Sequence, residues 1–433
     1  MHWQLALVAL VLLGFAAVSG RLEGTPITAA MVFTAAGLVL GVEALGLVDP
    51  EADGLVVKTL AEATLAVVLF SDASRIDLHA LRSELGVPAR LLGIGLPLTL
   101  LAGFVLALVL LDDLRWPEAL VLAVILAPTD AALGQAVVTL KRLPVRVRQS
   151  LNVESGLNDG ICVPLFLIAL AIAQAEGGAI GNGHAVQLVF EKIGYGALGG
   201  AIAGAATAAV VVWAGRRGLV DPAWLQVVPL AGAGLAFGLA EAIGGSGFIA
   251  AFVGGGVFGG LRRGRGGEVS YLLEQAGAVL AAVTFVVFGA VLLGPALGDV
   301  TWQIALYAVL SLTVVRMLPV AISLIGTGAR RPTVAFLGWF GPRGAATIVF
   351  ALLVVEEGGL PGDVILLTTV FLAVALSVFA HGATAAPLAE RYADWLEAQP
   401  DGDRAPVESG EGEEDEEVRW RLGAALPAAG AEE

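Results

Sequence analysis

The chain has 433 residues, of which 57% are apolar and only 15% are charged. Soluble domains contain about 25% charged residues, so this composition excludes an ordinary soluble fold and indicates a membrane protein. The formal net charge is −15, and a chain of that sign is not expected to bind nucleic acid.

Thirteen apolar runs follow one another along the chain. A helix needs about 20 mostly apolar residues to cross the hydrocarbon core of a bilayer. Glycine is abundant, at 57 residues, as is typical of membrane helices that pack closely. The runs cover residues 4–19, 25–42, 55–71, 88–111, 117–139, 150–174, 188–214, 223–243, 246–260, 270–294, 302–327, 333–355 and 363–387. The pattern predicts an all-α polytopic protein that spans the lipid bilayer with about 13 transmembrane helices.

Basic residues are concentrated in alternate loops. Loops after odd-numbered runs contain most of them, such as Lys141 and Arg142 after the fifth run and Arg330 after the eleventh. Loops after even-numbered runs contain one base, Arg115. Because short cytoplasmic loops collect Lys and Arg, the sequence predicts a multi-pass protein of the cell membrane. Its N-terminus is expected outside the cell and its C-terminus in the cytoplasm.

The composition changes after the last run. Residues 390–433 contain 14 acidic and 4 basic residues, a net charge of −10. A segment with so many like charges and few apolar residues does not form a core of its own. The sequence therefore predicts a membrane domain, residues 1–390, and an acidic, disordered cytoplasmic tail, residues 391–433.

The fifth run is interrupted by Pro128-Thr129-Asp130. Proline lacks an N–H group and clashes with the preceding helical turn, so the helix is expected to break here. Unwound backbone at membrane depth is tolerated only where it is buried in protein or lines a cavity. A charge in hydrocarbon is costly, so Asp130 is a candidate functional residue.

The sixth run contains Glu154-Ser155-Gly156-Leu157-Asn158-Asp159. Helical spacing places Ser155 and Asp159 on one face, with Glu154 and Asn158 on the adjacent stripe. Hydroxyl and carboxylate oxygens are the ligands that hard cations prefer. A dry environment disfavours the charged form of a carboxylate, so a proton and a small cation can compete for Asp159.

The twelfth run is interrupted by Gly341-Pro342-Arg343-Gly344. It lies seven runs after the fifth, so the two broken helices run in opposite directions, as in transporters built from inverted repeats. We predict that the buried cation of Arg343 pairs with Glu154 and braces the helices. Arg316, in the eleventh run, is expected to give similar structural support.

These three motifs, in this order, resemble those of the sodium/proton exchanger branch of the monovalent cation:proton antiporter superfamily. The resemblance extends over residues 1–390. It implies a homodimer whose thirteen helices form inverted repeats, with two unwound helices that cross beside the ion site. The transport core would comprise roughly residues 88–175 and 302–387, and the remaining helices would form the dimer interface.

The resemblance also implies roles for individual residues. Asp159 would bind the ion or the proton, assisted by Asp130, Thr129 and Ser155, whereas Asn158, Glu154 and Arg343 would brace the site. Asp72, at the end of the third run, matches an acidic residue that faces the ion route in relatives. The Asn158-Asp159 pair resembles the electroneutral branch, in which one cation exchanges for one proton.

The expected function is secondary active transport that exchanges Na⁺, with Li⁺ or K⁺ as alternatives, for H⁺ by alternating access. An intramembrane hydrolase and a passive cation channel are the competing hypotheses. No Gly-x-Gly-Asp or His-Glu-x-x-His element and no repeated, ring-forming filter occurs in the sequence. Its single cysteine, Cys162, and its scattered histidines, among them His381, do not have metal-ligand spacing. We therefore predict no enzymatic activity and no cofactor.

Overall fold

The computed structural model describes residues 2–22, 24–48, 54–75, 86–130, 133–177, 181–262, 267–357, 360–400 and 404–408. The regular secondary structure of these residues is entirely helical. The α-helices are α1 (His2–Leu22), α2 (Ala29–Leu40), α3 (Gly54–Ser74), α4 (Gly86–Arg90), α5 (Leu96–Leu110), α6 (Trp116–Ile125), α7 (Gln135–Thr139), α8 (Val145–Glu176), α9 (Asn182–Ala209), α10 (Pro222–Ala242), α11 (Gly247–Leu261), α12 (Tyr271–Val287), α13 (Gly294–Ala296), α14 (Trp302–Leu312), α15 (Val314–Ser323), α16 (Arg331–Trp339), α17 (Ala345–Glu357) and α18 (Asp363–Glu397).

Several neighbouring helices join without a loop. A π-helical turn, Leu91–Gly95, connects α4 to α5, and another, Phe288–Leu293, connects α12 to α13. A third, Val210–Ala214, extends α9. Such turns insert an extra residue into the hydrogen-bond ladder without ending the helix. Each of the thirteen predicted runs therefore coincides with one helix or with consecutive helical segments in the described part of the chain.

Many of these helices are apolar enough to span a bilayer. Among the described residues, eight have the required length and hydropathy: Trp3–Leu22, Gly86–Leu110, Val145–Glu176, Gly183–Ala214, Ala223–Ala242, Tyr271–Asp299, Trp302–Ser323 and Asp363–Glu397. Four shorter apolar helices accompany them: Ala29–Leu40, Trp116–Ile125, Gly247–Leu261 and Ala345–Glu356. The predicted class, an all-helical protein with several membrane spans, is confirmed.

The chain forms two compact units. The first comprises residues 1–65, 84–190 and 280–410, and it contains both predicted helix breaks. The second comprises the described residues within 66–83 and 191–279. Within the second unit, helices pack backbone against backbone: a Cβ atom at Gly200 would lie 2.4 Å from the carbonyl oxygen of Ala250, and one at Gly204 would lie 2.2 Å from that of Gly254. Glycine permits this close approach of α9 and α11 because it has no side chain.

The C-terminal part of the first unit departs from the sequence prediction. Helix α18 continues to Glu397, past residue 391, where the disordered tail was predicted to begin. Residues 404–408 also pack: Ala405 and Val407 join an apolar cluster that includes Phe336 and Tyr392. Charge density alone suggested disorder, but widely spaced apolar residues attach this segment to the helices. The predicted boundary is therefore wrong for these residues, whereas residues 409–433 lie outside the described part of the chain.

Glu408 anchors this segment. Its carboxylate is 1% exposed. It accepts hydrogen bonds from the backbone N–H of Arg330 at 2.8 Å, the hydroxyl of Thr333 at 2.5 Å and the N–H of Ala405 at 3.1 Å. No side chain of α16 itself caps the start of that helix. Glu408 therefore supplies the N-terminal cap of α16 from 75 or more residues further along the chain.

Glu408→Ala is expected to lower the free energy of unfolding. The substitution removes the acceptor of the N–H groups of Arg330 and Ala405, at a cost of about 1–3 kcal/mol. Thermal unfolding of the detergent-solubilised protein measures the effect. The control is Glu390→Ala, because Glu390 is exposed and bonds Arg142, which also contacts Asp394 and Glu397, and exposed ion pairs contribute little. Equal melting temperatures for the two variants would contradict the anchoring role.

The Arg142 cluster itself lies on the surface of the first unit. Hydrogen bonds to Glu397 and Asp394 raise the pKa of the Arg142 guanidinium above its usual value. The guanidinium therefore remains charged throughout the physiological pH range.

Candidate ion-binding site

The first break lies where the sequence predicts it. Helix α6 ends at Ile125, residues 128–130 are not helical, and the next helix, α7, begins at Gln135. Pro128 cannot donate a backbone hydrogen bond and disfavours a helical conformation of the residue before it. Thr129, in this break, is 1% exposed. The unwound backbone is thus buried in protein, as membrane depth requires.

The second break contacts the first. Helix α16 ends at Trp339, and α17 begins at Ala345. The N–H of Asp130 donates to the carbonyl oxygen of Pro342 at 2.8 Å. In return, the N–H of Ala345 donates to the Asp130 carboxylate at 3.1 Å. The carboxylate from one break therefore caps the first turn of the helix that follows the other break, where the helix dipole stabilises negative charge.

Gly344 permits this contact. A Cβ atom at Gly344 would lie 1.8 Å from the Asp130 carboxylate oxygen. Neither group can move away easily, because Asp130 is held by Pro342 and Ala345. A glycine is therefore required at this point for the two breaks to meet.

Gly344→Ala is expected to separate the breaks and to lower the free energy of unfolding by about 1–3 kcal/mol, the usual cost of overpacking. We also expect slower ion exchange, because Asp130 has to shift. Gly238→Ala is the matched control, since a Cβ on this helical glycine meets no atom within 4 Å. Thermal unfolding and transport in proteoliposomes measure both effects. A Gly344→Ala variant as stable and active as Gly238→Ala would exclude this close contact.

Polar residues of α8 face the first break. Asn158 forms two hydrogen bonds with Thr129: its amide nitrogen donates to the threonine hydroxyl at 2.8 Å, and its amide oxygen accepts from the Thr129 N–H at 3.3 Å. The hydroxyls of Thr129 and Ser155 are 3.0 Å apart. Asp159 follows Ser155 by one helical turn and is 5% exposed. The structure thus brings Thr129, Ser155 and Asn158 together, with Asp159 on the same buried helix.

Glu154 has a different partner from the one predicted. Both of its carboxylate oxygens accept hydrogen bonds from Arg316, at 2.5 and 2.8 Å, and the two side chains are each 4% exposed. The predicted pairing of Glu154 with Arg343 is therefore wrong. The sequence shows that a buried carboxylate needs a cation, but it does not show which arginine approaches it. Arg316, for which a supporting role was predicted, has Glu154 as its partner.

Arg343 instead stabilises the first break. Its guanidinium donates to the carbonyl oxygens of Ala127 and Pro128, at 2.6 and 3.0 Å. Carbonyl groups in an unwound segment lose their helical partners and need other donors when they are buried. Arg343 is 1% exposed. It therefore connects the second break to the backbone of the first.

The assembled groups form a set of oxygen donors. Two hydroxyls, of Thr129 and Ser155, lie beside an amide, with the carboxylates of Asp130 and Asp159 on the same two elements. Oxygen donors of this kind suit hard cations. Within the described residues, no group of three or more His, Cys, Asp or Glu side chains could hold a metal ion. The donors at this site are therefore of the type that hard cations prefer.

Comparison with known proteins agrees with this arrangement. The profile of the family described as sodium/hydrogen exchanger, transmembrane, matches residues 6–391. The chain belongs to this family. Membership places it among transporters and not among enzymes, which confirms the prediction of no enzymatic activity.

Several proteins resemble this chain in sequence. The K(+)/H(+) antiporter NhaP of Alkalimonas amylolytica is 27% identical over 402 residues, which cover 91% of this chain and 65% of that protein. The K(+)/H(+) antiporter NhaP2 of Shewanella oneidensis is 28% identical, with coverage of 89% and 66%. A Na(+)/H(+) antiporter of Schizosaccharomyces pombe is 26% identical, with coverage of 73% and 71%. The chain spans slightly less than two thirds of the length of the two bacterial relatives.

Its fold is also known. The structure of the sodium proton antiporter MjNhaP1 from Methanocaldococcus jannaschii at pH 8 superposes with a TM-score of 0.73. The two chains are 19% identical, and the alignment covers 87% of this protein and 98% of that chain. At this identity the similarity establishes the fold alone.

Two polar residues near the second break were not predicted. Ser377, on α18, contacts the break at Arg343, and His381, one turn later, contacts Ser377. A serine and a histidine four residues apart in an otherwise apolar run could have indicated them, because polar side chains in a membrane helix are usually functional or paired. Asp72 belongs to the second unit, at the end of α3. Its role on the ion route stays a prediction.

Proposed function

We propose that this protein is a secondary active transporter that moves a monovalent cation in one direction and a proton in the other. One observation carries the proposal: two helix breaks touch at Asp130, directly beside the oxygen-rich face of α8. Broken helices at the interface of two repeats are the usual position of the substrate site in secondary transporters. The names of the relatives, K(+)/H(+) and Na(+)/H(+) antiporters, support the same function.

Asp159 is the proposed exchange residue. It is buried, and it lies one helical turn from Ser155, whose hydroxyl contacts Thr129. A buried carboxylate is most stable when its charge is compensated, either by a proton or by a bound cation. When the site faces the more acidic side, the proton replaces the cation, and the reverse occurs on the other side. One carboxylate that exchanges one positive charge for another transports no net charge.

Na⁺ is the proposed cation. The hydroxyl and amide groups beside Asp130 lie within 2.8–3.3 Å of one another, so a compact site forms without separating them. A larger ion requires longer distances to its oxygen ligands and hence a wider site. K⁺ is the second candidate, because two bacterial relatives are named K(+)/H(+) antiporters.

We further propose the architecture that the motifs imply. The thirteen predicted spans would form two inverted repeats in a homodimer, with residues 88–175 and 302–387 as the moving core and the other helices as the dimer interface. The protein would lie in the cell membrane, with its N-terminus outside and its C-terminus in the cytoplasm. The basic residues in alternate loops support this orientation.

Transport in liposomes tests the function. The purified protein is reconstituted into vesicles with an acidic interior and a pH-sensitive dye, and Na⁺, Li⁺ or K⁺ is added outside. We expect Na⁺ to collapse the pH gradient, at a rate that does not change when the membrane potential is clamped. A larger response to K⁺ would replace Na⁺ by the second candidate. No response to any of the three cations across a range of pH would exclude the proposal.

A further inference from the structure

Polar side chains on one face of α18 pack against the second break. The hydroxyl of Ser377 accepts a hydrogen bond from the backbone N–H of Arg343 at 2.6 Å. One turn later, Nδ1 of His381 lies 3.0 Å from the same hydroxyl. The His381 ring packs against the ring of Trp339, the last residue of α16, with centroids 4.8 Å apart. Trp339 in turn donates its indole N–H to the hydroxyl of Thr384 at 2.9 Å. α18 thus contacts the break at Arg343 and the end of the preceding helix at Trp339.

The side chains that form these contacts are buried away from solvent. Ser377 is 0% exposed and His381 1%. A buried backbone N–H without an acceptor is costly, and the break removes the helical acceptor that the N–H of Arg343 would otherwise have. Ser377 replaces it. Nδ1 of His381 also lies 3.1 Å from the carbonyl oxygen of Ser377, which can only accept a hydrogen bond. A neutral imidazole with its proton on Nδ1 therefore donates toward both oxygens of Ser377, while the serine hydroxyl accepts from Arg343, so the ring fixes the orientation of the Ser377 side chain.

The peptide that Ser377 holds is next to both contacts with Asp130. The preceding residue, Pro342, accepts the N–H of Asp130, and Ala345, two residues later, donates to its carboxylate. A shift of the Arg343 peptide therefore moves Asp130 as well.

We infer that Ser377 and His381 are positioning residues of the ion site. Through the Arg343 peptide, they hold the second break at the distance that Asp130 needs to contribute to cation binding. They do not contact the cation themselves. The inference rests on the proposed ion site. It adds two residues of α18 to the residues that the motifs identify on the fifth, sixth and twelfth runs.

The test compares variants that remove or retain the hydrogen bonds. Ser377→Ala and His381→Leu remove them, whereas His381→Asn keeps a polar atom near the position of Nδ1. The readout is the cation concentration that gives half-maximal exchange, determined separately from the maximal rate. We expect Ser377→Ala and His381→Leu to raise this concentration about ten-fold, the effect of one lost buried hydrogen bond. His381→Asn should retain most of the affinity.

Two controls make the result specific. Thr369→Val removes another buried hydroxyl of α18, which bonds only the carbonyl oxygen of Ile365 among the contacts of the described residues, and it should leave the half-maximal concentration unchanged. The double variant Ser377→Ala/His381→Leu should be no worse than either single variant, because the two residues act through one contact. Elution volume and melting temperature of each purified variant report folding. If Ser377→Ala does not fold, the two His381 variants decide.

The outcomes separate this inference from the proposed function. A wild-type protein without exchange would exclude the function itself. Unchanged cation dependence in His381→Leu, while the wild type exchanges ions, would overturn the positioning role. Equal losses in His381→Leu and His381→Asn, or independent effects that multiply in the double variant, would also overturn it.

Discussion

Asp159→Asn is expected to reduce ion exchange to the rate of protein-free liposomes. Asparagine has nearly the same shape as aspartate, so the buried position on α8 remains filled. It neither releases a proton near neutral pH nor carries the negative charge that holds a cation. The site therefore loses both of the states between which it alternates. The dye assay in proteoliposomes measures the rate.

Glu176→Gln is the matched control for this experiment. Glu176 is the last residue of the same helix and is exposed, so neutralising it should leave exchange unchanged. Both variants should elute as the wild type does and melt at a similar temperature. If Asp159→Asn still exchanges cations for protons, Asp159 is not the exchange residue, and Asp130 becomes the carboxylate to test next.

Arg316→Leu is expected to cause the largest loss of stability. Arg316 and Glu154 form a bidentate ion pair that is almost completely buried. Removing the cation leaves an uncompensated carboxylate in a dry environment, which costs about 3–5 kcal/mol. We expect a marked fall in melting temperature and in the yield of monodisperse protein in detergent.

Two further variants identify the cause. The double variant Glu154→Leu/Arg316→Leu should recover much of the stability, because a buried ion pair can often be replaced by apolar side chains at little cost. Arg142→Gln serves as the control for arginine removal: Arg142 contacts three carboxylates, but it is exposed, so its loss should matter little. If Arg316→Leu and Arg142→Gln melt at the same temperature, burial of the Glu154 pair is not important for stability.

Much of this protein can be predicted from its sequence because the determinants are local. Composition and run length identify a helical membrane protein, since a bilayer imposes one length on every span. Pro128 and Pro342 locate the helix breaks, because proline removes a backbone donor wherever it occurs. Helical spacing alone places Ser155 and Asp159 on one face of α8. None of these conclusions requires knowledge of which helices are neighbours.

The tertiary structure decides the partners. Glu154 and Arg316 are 162 residues apart, and Arg343 lies 216 residues from the carbonyl group of Ala127 that it contacts. Two arginines of the apolar runs, Arg316 and Arg343, could each pair with the Glu154 carboxylate. Neighbouring residues in the sequence do not indicate which of the two does. The role of Ser377 becomes visible only where α18 passes the second break. Proline and hydropathy determine the structure of a few neighbouring residues. A hydrogen bond between distant residues instead requires atomic positions accurate to a few tenths of an ångström, and only the packing of whole helices determines those positions.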